Sequence, residues 1–186
     1  MAVKLGELNK ALATAVVKGD AEAARKAVID GADVTMINDS GHTLLILAMY
    51  HKHLEMSKFL IEQGVSIRAR DNTGWSALMH AITLDDVEHV RLLVDNKAQI
   101  NEVYPDGLTA LMRAVMINPE ITEVLLKAGA DKDARDDNQL SALDYALLSK
   151  RGDCADVLLR YKAYETDMDR MLEMESKIDD LFRKEE

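Results

Sequence analysis

A phrase of eight residues recurs along this chain, and its period constrains the fold more than any other feature. Three copies read GHTLLILA, GWSALMHA and GLTALMRA, and they begin at Gly41, Gly74 and Gly107, a constant interval of 33 residues. A fourth copy, QLSALDYA, begins at Gln139, 32 residues after Gly107. Periods of about 20 to 50 residues are typical of solenoids, in which each unit is too small to bury its own apolar face and is stabilised by stacking on its neighbours.

Each copy of the phrase predicts a turn that leads into a helix. A hydroxyl side chain precedes the apolar stretch in every copy, at Thr43, Ser76, Thr109 and Ser141. Such a hydroxyl can accept a hydrogen bond from a free N–H group at a helix start. A second stretch with apolar residues at helical spacing follows, as in Met56, Phe59 and Leu60. A glycine, which ends a helix at little cost, follows three of these second stretches, at Gly31, Gly64 and Gly129.

Over about residues 8–163 this pattern resembles the ankyrin repeat, whose usual phrase is a glycine turn, Thr-Pro-Leu-His, paired alanines, a second helix and Gly-Ala-Asp. The leucine is kept at Leu45, Leu78, Leu111 and Leu143, and the first alanine at Ala48, Ala81, Ala114 and Ala146. The family's proline is absent, and its histidine is replaced by Ile46, Met79, Met112 and Asp144. The resemblance implies an all-α solenoid of about five helix-turn-helix units, with short β-hairpin turns that we call fingers.

Several departures from the family pattern predict local differences. Lys97 and Lys162 stand where glycine is expected, at a cost of up to about 1 kcal/mol each if φ is positive. Gln139 replaces the turn glycine and predicts a last turn of different shape. The residue missing from the fourth unit falls at INPEI, where Asn118 and Pro119 predict the N-cap and the first position of a helix.

We divide the chain into a repeat domain over 1–163 and an acidic C-terminal segment over 164–186. The domain comprises an N-terminal cap at 3–35, central units at 38–70, 71–103 and 104–135, and a last unit at 136–163. The segment 164–186 has one apolar stripe among charged residues, which predicts an amphipathic helix that caps the last unit. Docking to a partner or self-association is the alternative interpretation of this stripe.

Charge and composition exclude several classes of function. The net charge is −10, with 33 acidic and 23 basic residues, and such a surface repels nucleic acid. No apolar run has the length of a membrane span, and the polar face of the C-terminal stripe is acidic, so we expect no membrane binding. The single cysteine and the absence of a signal-like run near Met1 predict a cytoplasmic protein, although a removed secretion signal stays open.

No motif for catalysis, cofactor binding or metal binding stands out. The chain has no glycine-rich phosphate loop, nucleophile elbow or metalloprotease helix. The five histidines, at positions 42, 51, 53, 80 and 89, are scattered, and Cys154 is flanked by acidic residues that disfavour a thiolate. We therefore predict a non-enzyme without cofactor or metal, and an inert thiol at Cys154.

The family resemblance implies protein binding on a concave surface built from the finger tips and the exposed ends of the first helices. Mapped by register, the predicted binding residues are Trp75, Leu108, Tyr50, Leu84, Met116, Ile117, His42, Leu140, Asp106 and Thr73. Trp and Tyr are enriched in binding hot spots. Alternatively, Trp75 folds over Leu108 and Arg113 only to stiffen the fingers. Two other functions compete with this one: an inhibitor or antidote of a basic enzyme, and a self-associating structural protein. We expect the chain to be a monomer with weak self-association.

Overall fold

The structure is a computed structural model that describes residues 2–161. Lys162 and the predicted capping helix at 164–186 lie outside the described residues. The helices form five consecutive pairs: α1 (Ala2–Lys18) with α2 (Ala21–Ile29), α3 (Leu44–Tyr50) with α4 (Leu54–Glu62), α5 (Ala77–Thr83) with α6 (Val87–Asp95), α7 (Ala110–Ala114) with α8 (Pro119–Lys127), and α9 (Ala142–Leu148) with α10, of which 152–161 are described.

The pairs stack in chain order. The first helices of successive pairs contact each other from α1 through α3, α5 and α7 to α9, and α2, α4, α6 and α8 form a parallel second row. We call these rows the inner and the outer helices. This arrangement confirms the predicted all-α ankyrin-type solenoid. Within the described residues, no helix combines the length and apolar character needed to cross a membrane.

Small residues let the inner helices approach closely. The repeated alanine is fully buried in every unit, at Ala48, Ala81, Ala114 and Ala146. Met79 and Met112, which replace the family's histidine, are buried as well, so an apolar side chain fills the space of a polar one. Cys154 is also buried, and burial raises the pKa of its thiol, as expected for an inert cysteine.

Side-chain caps start three of the four inner helices that follow a hydroxyl residue, and α5 is the exception. The hydroxyl groups of Thr43, Thr109 and Ser141 accept hydrogen bonds from the backbone N–H groups of Ile46, Met112 and Asp144, as predicted. For Ser76 the prediction of a side-chain cap is wrong, because its hydroxyl is hydrogen-bonded to the Tyr104 hydroxyl of the next unit. Ser76 thus joins two units and leaves the start of α5 without a side-chain cap.

Each finger closes with the same backbone hydrogen bonds. Antiparallel bridges pair Ile37 with Thr43, Arg70 with Ser76 and Val103 with Thr109. In the last finger the Asp136 N–H donates to the Leu140 carbonyl, as the Asp71 N–H does to Trp75. Gln139 has φ +66°, close to the +84° of Gly74. Gln139 thus adopts the left-handed conformation and keeps the hydrogen bonds of the turn, so the expected difference is not found there. The last finger differs only at its base, where the described residues 135 and 141 form no antiparallel bridge.

Left-handed residues also shape the connections between helices. Lys97, after α6, has φ +64°, so the positive φ on which the expected cost of replacing glycine depends is present. Between inner and outer helices, Lys52, Asp85 and Lys150 also have positive φ. The connection between α7 and α8 in the fourth unit is one residue shorter. As predicted, the Asn118 side chain caps α8, and Pro119 is the first residue of that helix.

Neighbouring fingers approach each other unequally. A Cβ atom added to Gly41 would lie 2.8 Å from the Asn72 backbone nitrogen, and one added to Gly107 would lie 2.6 Å from that of Asp137. At Gly74 the nearest atom, Cγ of Pro105, would be 3.5 Å away, an ordinary contact. We number each finger by its unit. The backbones of the second and third fingers are thus in close contact, as are those of the fourth and fifth, whereas the third and fourth fingers meet through side chains.

Candidate protein-binding surface

The finger tips are held by polar side chains at equivalent positions. Asn38, Asp71 and Asp136 each accept, through Oδ1, hydrogen bonds from the backbone N–H groups two and four residues later. The residue four positions later directly follows the turn residue, and it is His42, Trp75 or Leu140. These hydrogen bonds fix the backbone from which the predicted binding side chains project. Tyr104 occupies the equivalent position in the fourth finger and bonds to Ser76 and Glu102 instead.

The predicted binding residues differ in exposure. Tyr50 and Thr73 are exposed, whereas the half-buried ones are His42, Trp75, Leu84, Leu108, Met116, Ile117 and Leu140. Leu108, Met116 and Ile117 pack against the hydrophobic core and therefore also have a structural role. The side chain of Asp106 lies outside the described set. We call the residues named here, with Asp106, the finger surface.

The chain's only tryptophan is neither buried nor fully exposed. The Trp75 ring centroid lies 5.6 Å from that of His80, and the Arg113 guanidinium carbon lies 5.9 Å from the indole centroid. The contact with Arg113 agrees with the alternative in which Trp75 folds over Leu108 and Arg113 to stiffen the fingers. Since the indole stays half-buried, it retains apolar surface that a partner could cover.

Beside Trp75 lies a polar cluster that was not expected from the sequence. His80 Nε2 is 2.7 Å and His42 Nε2 is 3.4 Å from Asp71 Oδ2, and the Tyr50 hydroxyl is 3.1 Å from His80 Nδ1. The rings of His42, Tyr50 and His80 lie within 5.5 Å of one another, centroid to centroid. The cluster joins the second unit to the third.

Burial and hydrogen bonding determine the protonation of this cluster. Burial opposes ionisation of Asp71, but hydrogen bonds from Thr73, from the Trp75 amide and from His80 outweigh it and lower the pKa of Asp71 to about 2. Burial lowers the pKa of His80 despite the opposing effect of Asp71, and burial raises the pKa of Tyr50. At neutral pH the cluster therefore holds a carboxylate beside a neutral His80 imidazole.

One signal in the sequence bears on this cluster. The residue four positions after the hydroxyl at each helix start changes in every unit: it is Leu47, His80, Arg113 and Tyr145. His80 contacts Asp71 at the start of its own finger, and Tyr145 donates its hydroxyl to Asp136 in the same way. The equivalence of the two pairs could have indicated the Asp71–His80 contact. His42 belongs to another unit, and only the stacking brings it to Asp71.

The opposite side of the solenoid has a different character. The outer helices carry exposed charged side chains, and ion pairs join Lys58 to Glu55, Lys127 to Glu123, and Arg91 of α6 to Glu120 of α8. The finger surface is instead built mainly from aromatic and aliphatic residues, most of them half-buried. Exposed apolar side chains are not confined to the finger surface, since Ile29 of α2 is 83% exposed.

Comparison with known proteins places the repeats in a family. A sequence model for ankyrin repeats, in three copies, matches residues 12–104 and 97–170. The chain is 34% identical over 118 residues to the probable 26S proteasome regulatory subunit p28 of Saccharomyces cerevisiae, an alignment that covers 62% of this chain and 52% of that protein. It is 32% identical over 123 residues to the human neurogenic locus notch homolog protein 1, covering 65% of this chain and 5% of that protein.

A third relative is the mouse ankyrin repeat and SAM domain-containing protein 6, which is 33% identical over 97 residues, or 52% of this chain and 11% of that protein. The chain thus spans about half the length of the yeast relative and a small part of the other two. The family match covers most of the chain and coincides with the stacked helix pairs. The chain therefore belongs to the ankyrin-repeat family.

Proposed function

We propose that this chain binds another protein through the finger surface and has no catalytic activity of its own. Ankyrin repeats generally mediate protein–protein interaction, and the family is typically non-catalytic. The observation that carries the proposal is the half-buried Trp75, whose amide is held at the finger tip by Asp71 and which belongs to a finger surface made mainly of apolar residues. Trp and Tyr in such positions are the residues on which binding energy most often depends.

Rigidity of the finger tips supports this proposal. The amides of His42, Trp75 and Leu140 are each bonded to a side chain of their own finger. A partner that binds a surface already held in place loses less conformational entropy on association than one that must order it. Binding energy from the indole of Trp75 would therefore be available without a preceding rearrangement of the fingers.

The test uses variants that remove exposed apolar surface without disturbing the core. Trp75→Ala combined with Leu84→Ala is suitable, whereas Leu108 packs against the core and its loss would also lower stability. Ile29→Ala, at an 83% exposed residue of α2, is a matched control outside the finger surface. Partners are captured from the lysate of the source organism with the wild-type chain, and their dissociation constants are then measured with each variant.

We expect the double variant to weaken binding by about 2 kcal/mol or more, about 30-fold, as for a hot spot. Ile29→Ala should leave the dissociation constant unchanged. Helical circular dichroism and melting temperature should be close to wild type for both variants. Equal affinity of the double variant and the wild type would show that the partner binds elsewhere, and unfolding of the double variant would assign Trp75 a structural role.

The negative charge of the chain favours a second candidate, an inhibitor or antidote that covers the active site of a basic enzyme. Opposite charges accelerate association, and salt suppresses this effect. If the captured partner is a basic enzyme, its activity should fall on binding, and the association rate should decrease steeply with ionic strength. An association rate that is insensitive to salt, with an active captured enzyme, argues for an adaptor instead.

A further inference from the structure

The cluster of His42, Asp71 and His80 brings together three side chains of metal-binding type. His42 follows the turn of the second finger, Asp71 begins the third finger, and His80 lies on α5. The nearest ligand atoms, the Nε2 or Nδ1 atoms of the histidines and a carboxylate oxygen, all lie within 4.8 Å of one another. Among the side chains that the structure describes, no other group of three His, Cys, Asp or Glu comes together in this way.

We propose that His42, Asp71 and His80 form a binding site for a divalent transition-metal ion, with Zn²⁺ as the preferred ion. Two imidazole nitrogens and one carboxylate oxygen suit Zn²⁺, whereas Mg²⁺ and Ca²⁺ prefer oxygen ligands alone. Three protein ligands leave the fourth tetrahedral position for water or for an atom of a partner. The site is independent of the proposed protein binding and adds a second ligand to the same surface.

Two ligand-to-ligand distances in the cluster, both to Asp71, are near those that a tetrahedral ion requires, and the two imidazoles offer ligand atoms within 4.8 Å of each other. With metal–ligand distances of about 2.0–2.1 Å, two ligand atoms of a tetrahedral site lie about 3.3 Å apart. His42 Nε2 and Asp71 Oδ2 are already 3.4 Å apart. His80 Nε2 and Asp71 Oδ2, now 2.7 Å apart in a hydrogen bond, would have to separate by about 0.6 Å. Binding would therefore replace the His80–Asp71 hydrogen bond by two bonds to the ion.

The surrounding groups orient the ligands as outer-shell partners do in metal sites. Asp71 Oδ1 accepts hydrogen bonds from the Thr73 amide, the Thr73 hydroxyl and the Trp75 amide, which leaves Oδ2 directed at the two imidazoles. The Tyr50 hydroxyl, 3.1 Å from His80 Nδ1, holds the other side of that ring. The carboxylate and one imidazole are therefore positioned before an ion arrives.

The Tyr50 hydroxyl also makes the necessary change of protonation possible. In the hydrogen-bonded cluster His80 Nε2 carries the proton that it donates to the Asp71 carboxylate, and Nδ1 accepts from Tyr50. An ion on Nε2 requires that the proton be on Nδ1, which must then donate. A hydroxyl group can donate or accept, so the Tyr50–His80 hydrogen bond survives metal binding with its direction reversed.

The cluster is largely shielded from solvent, and His42 is the most exposed of its three ligands. The side chains of Asp71 and His80 are 1% and 7% exposed, whereas that of His42 is 19% exposed, and Tyr50 beside it is exposed. An ion would therefore enter between His42 and Tyr50, and its fourth ligand position would face the finger surface. The bound ion would place positive charge beside Trp75 in a protein of net charge −10.

Calorimetric titration of the full chain with Zn²⁺ tests this site, and Co²⁺ titration provides two optical readouts. Co²⁺ gives visible absorption in a tetrahedral site, and it should quench the emission of Trp75, the only tryptophan, whose ring lies 5.6 Å from that of His80. We expect one ion per chain and a melting temperature that rises with Zn²⁺ concentration. His42→Ala should abolish all of these signals.

Two further variants make the result specific. Tyr50→Phe removes only the outer-shell hydroxyl and should weaken Zn²⁺ binding about 10- to 100-fold. His51→Ala is the matched control, because His51 is exposed, stacks on His53 and lies outside the cluster. It should bind Zn²⁺ as the wild type does. The proposal is wrong if the wild type shows no saturable binding at submillimolar Zn²⁺, if folded His42→Ala binds unchanged, or if His51→Ala abolishes binding.

Discussion

Several residues other than glycine adopt left-handed backbone conformations in this protein. Lys97 and Gln139 stand where the family pattern has glycine, and both keep the positive φ that the position requires. An L-residue in this region costs about 1–2 kcal/mol, whereas glycine avoids the steric cost but loses more entropy on folding. The shape of a finger or connection is therefore set by the hydrogen bonds around it more than by the residue type.

We expect Lys97→Gly to raise the free energy of unfolding by about 0.5–1 kcal/mol, because the steric relief exceeds the added entropy cost. The melting temperature should rise by about 2 °C in a chain of this size. Asn96→Gly is the matched control: Asn96 has φ −91° and gains no steric relief, so this variant should be less stable than wild type. A stabilised Asn96→Gly, or a destabilised Lys97→Gly, would contradict the strain argument.

Side-chain partners were predictable only when they lie within one unit. The caps by Thr43, Thr109 and Ser141 involve residues three positions apart, and the sequence pattern predicts them. Ser76 has the same local pattern, yet its hydroxyl is hydrogen-bonded to Tyr104 of the next unit. At the position equivalent to Tyr104, three other units carry Asn or Asp, so the repeat pattern does not predict this partner. His42 and His80 appeared scattered for the same reason, because only stacking brings them to one carboxylate.

At the scale of the elements, the order of helices and fingers follows from the 33-residue period, whereas the spacing between fingers does not. Gly41 and Gly107 each face the backbone of the following finger, and Gly74 faces only the side chain of Pro105. Across the looser contact, Arg70 donates to the Val103 carbonyl, pairs with Glu102 and lies over the Tyr104 ring. A long side chain thus replaces close backbone contact at this one joint.

Gly107→Ala should destabilise the protein more than Gly74→Ala. Both substitutions place an L-residue at positive φ. The methyl group of Gly107→Ala would also meet backbone atoms, since its carbon would lie 2.6 Å from the Asp137 nitrogen, whereas that of Gly74→Ala would not. We expect a further loss of about 1–3 kcal/mol, typical of overpacking, measured by urea unfolding. Gly41→Ala, beside the Asn72 nitrogen, should behave like Gly107→Ala. Equal losses at all three positions would show that φ alone determines the cost.

At the scale of the whole molecule, the last described unit has an uncovered apolar end. Met49, Ile82 and Val115 occupy equivalent positions at the ends of three inner helices, and all are fully buried. Their counterpart Leu147 in α9 is 60% exposed, and Leu159 in α10 is 53% exposed. The end of a solenoid needs a cover, since each unit relies on a neighbour to bury its apolar face. The chain continues with the apolar stripe of 164–186, for which we propose this capping role.

Deletion of residues 165–186 should lower the free energy of unfolding by about 2 kcal/mol, the order of burying one large apolar side chain. A Leu172→Ser and Leu181→Ser variant of the full chain should reproduce this loss, because it removes part of the stripe, whereas Glu173→Gln and Glu175→Gln should not. Thermal melting and size-exclusion chromatography measure both effects. An unchanged melting temperature with a lost dimer or lost partner would assign the stripe to association instead of capping.

The variable residue after each helix start has an evolutionary consequence. Leu47, His80, Arg113 and Tyr145 share one backbone position, yet they range from aliphatic to cationic while the alanine packing beneath them stays the same. A mutation there leaves the buried alanine in place but alters contacts with a neighbouring unit, since His80 is hydrogen-bonded to Tyr50 and Arg113 to Thr83. New specificity can therefore arise in this protein one repeat at a time, by a substitution at this position together with an adjustment of the residue that it contacts in the next unit.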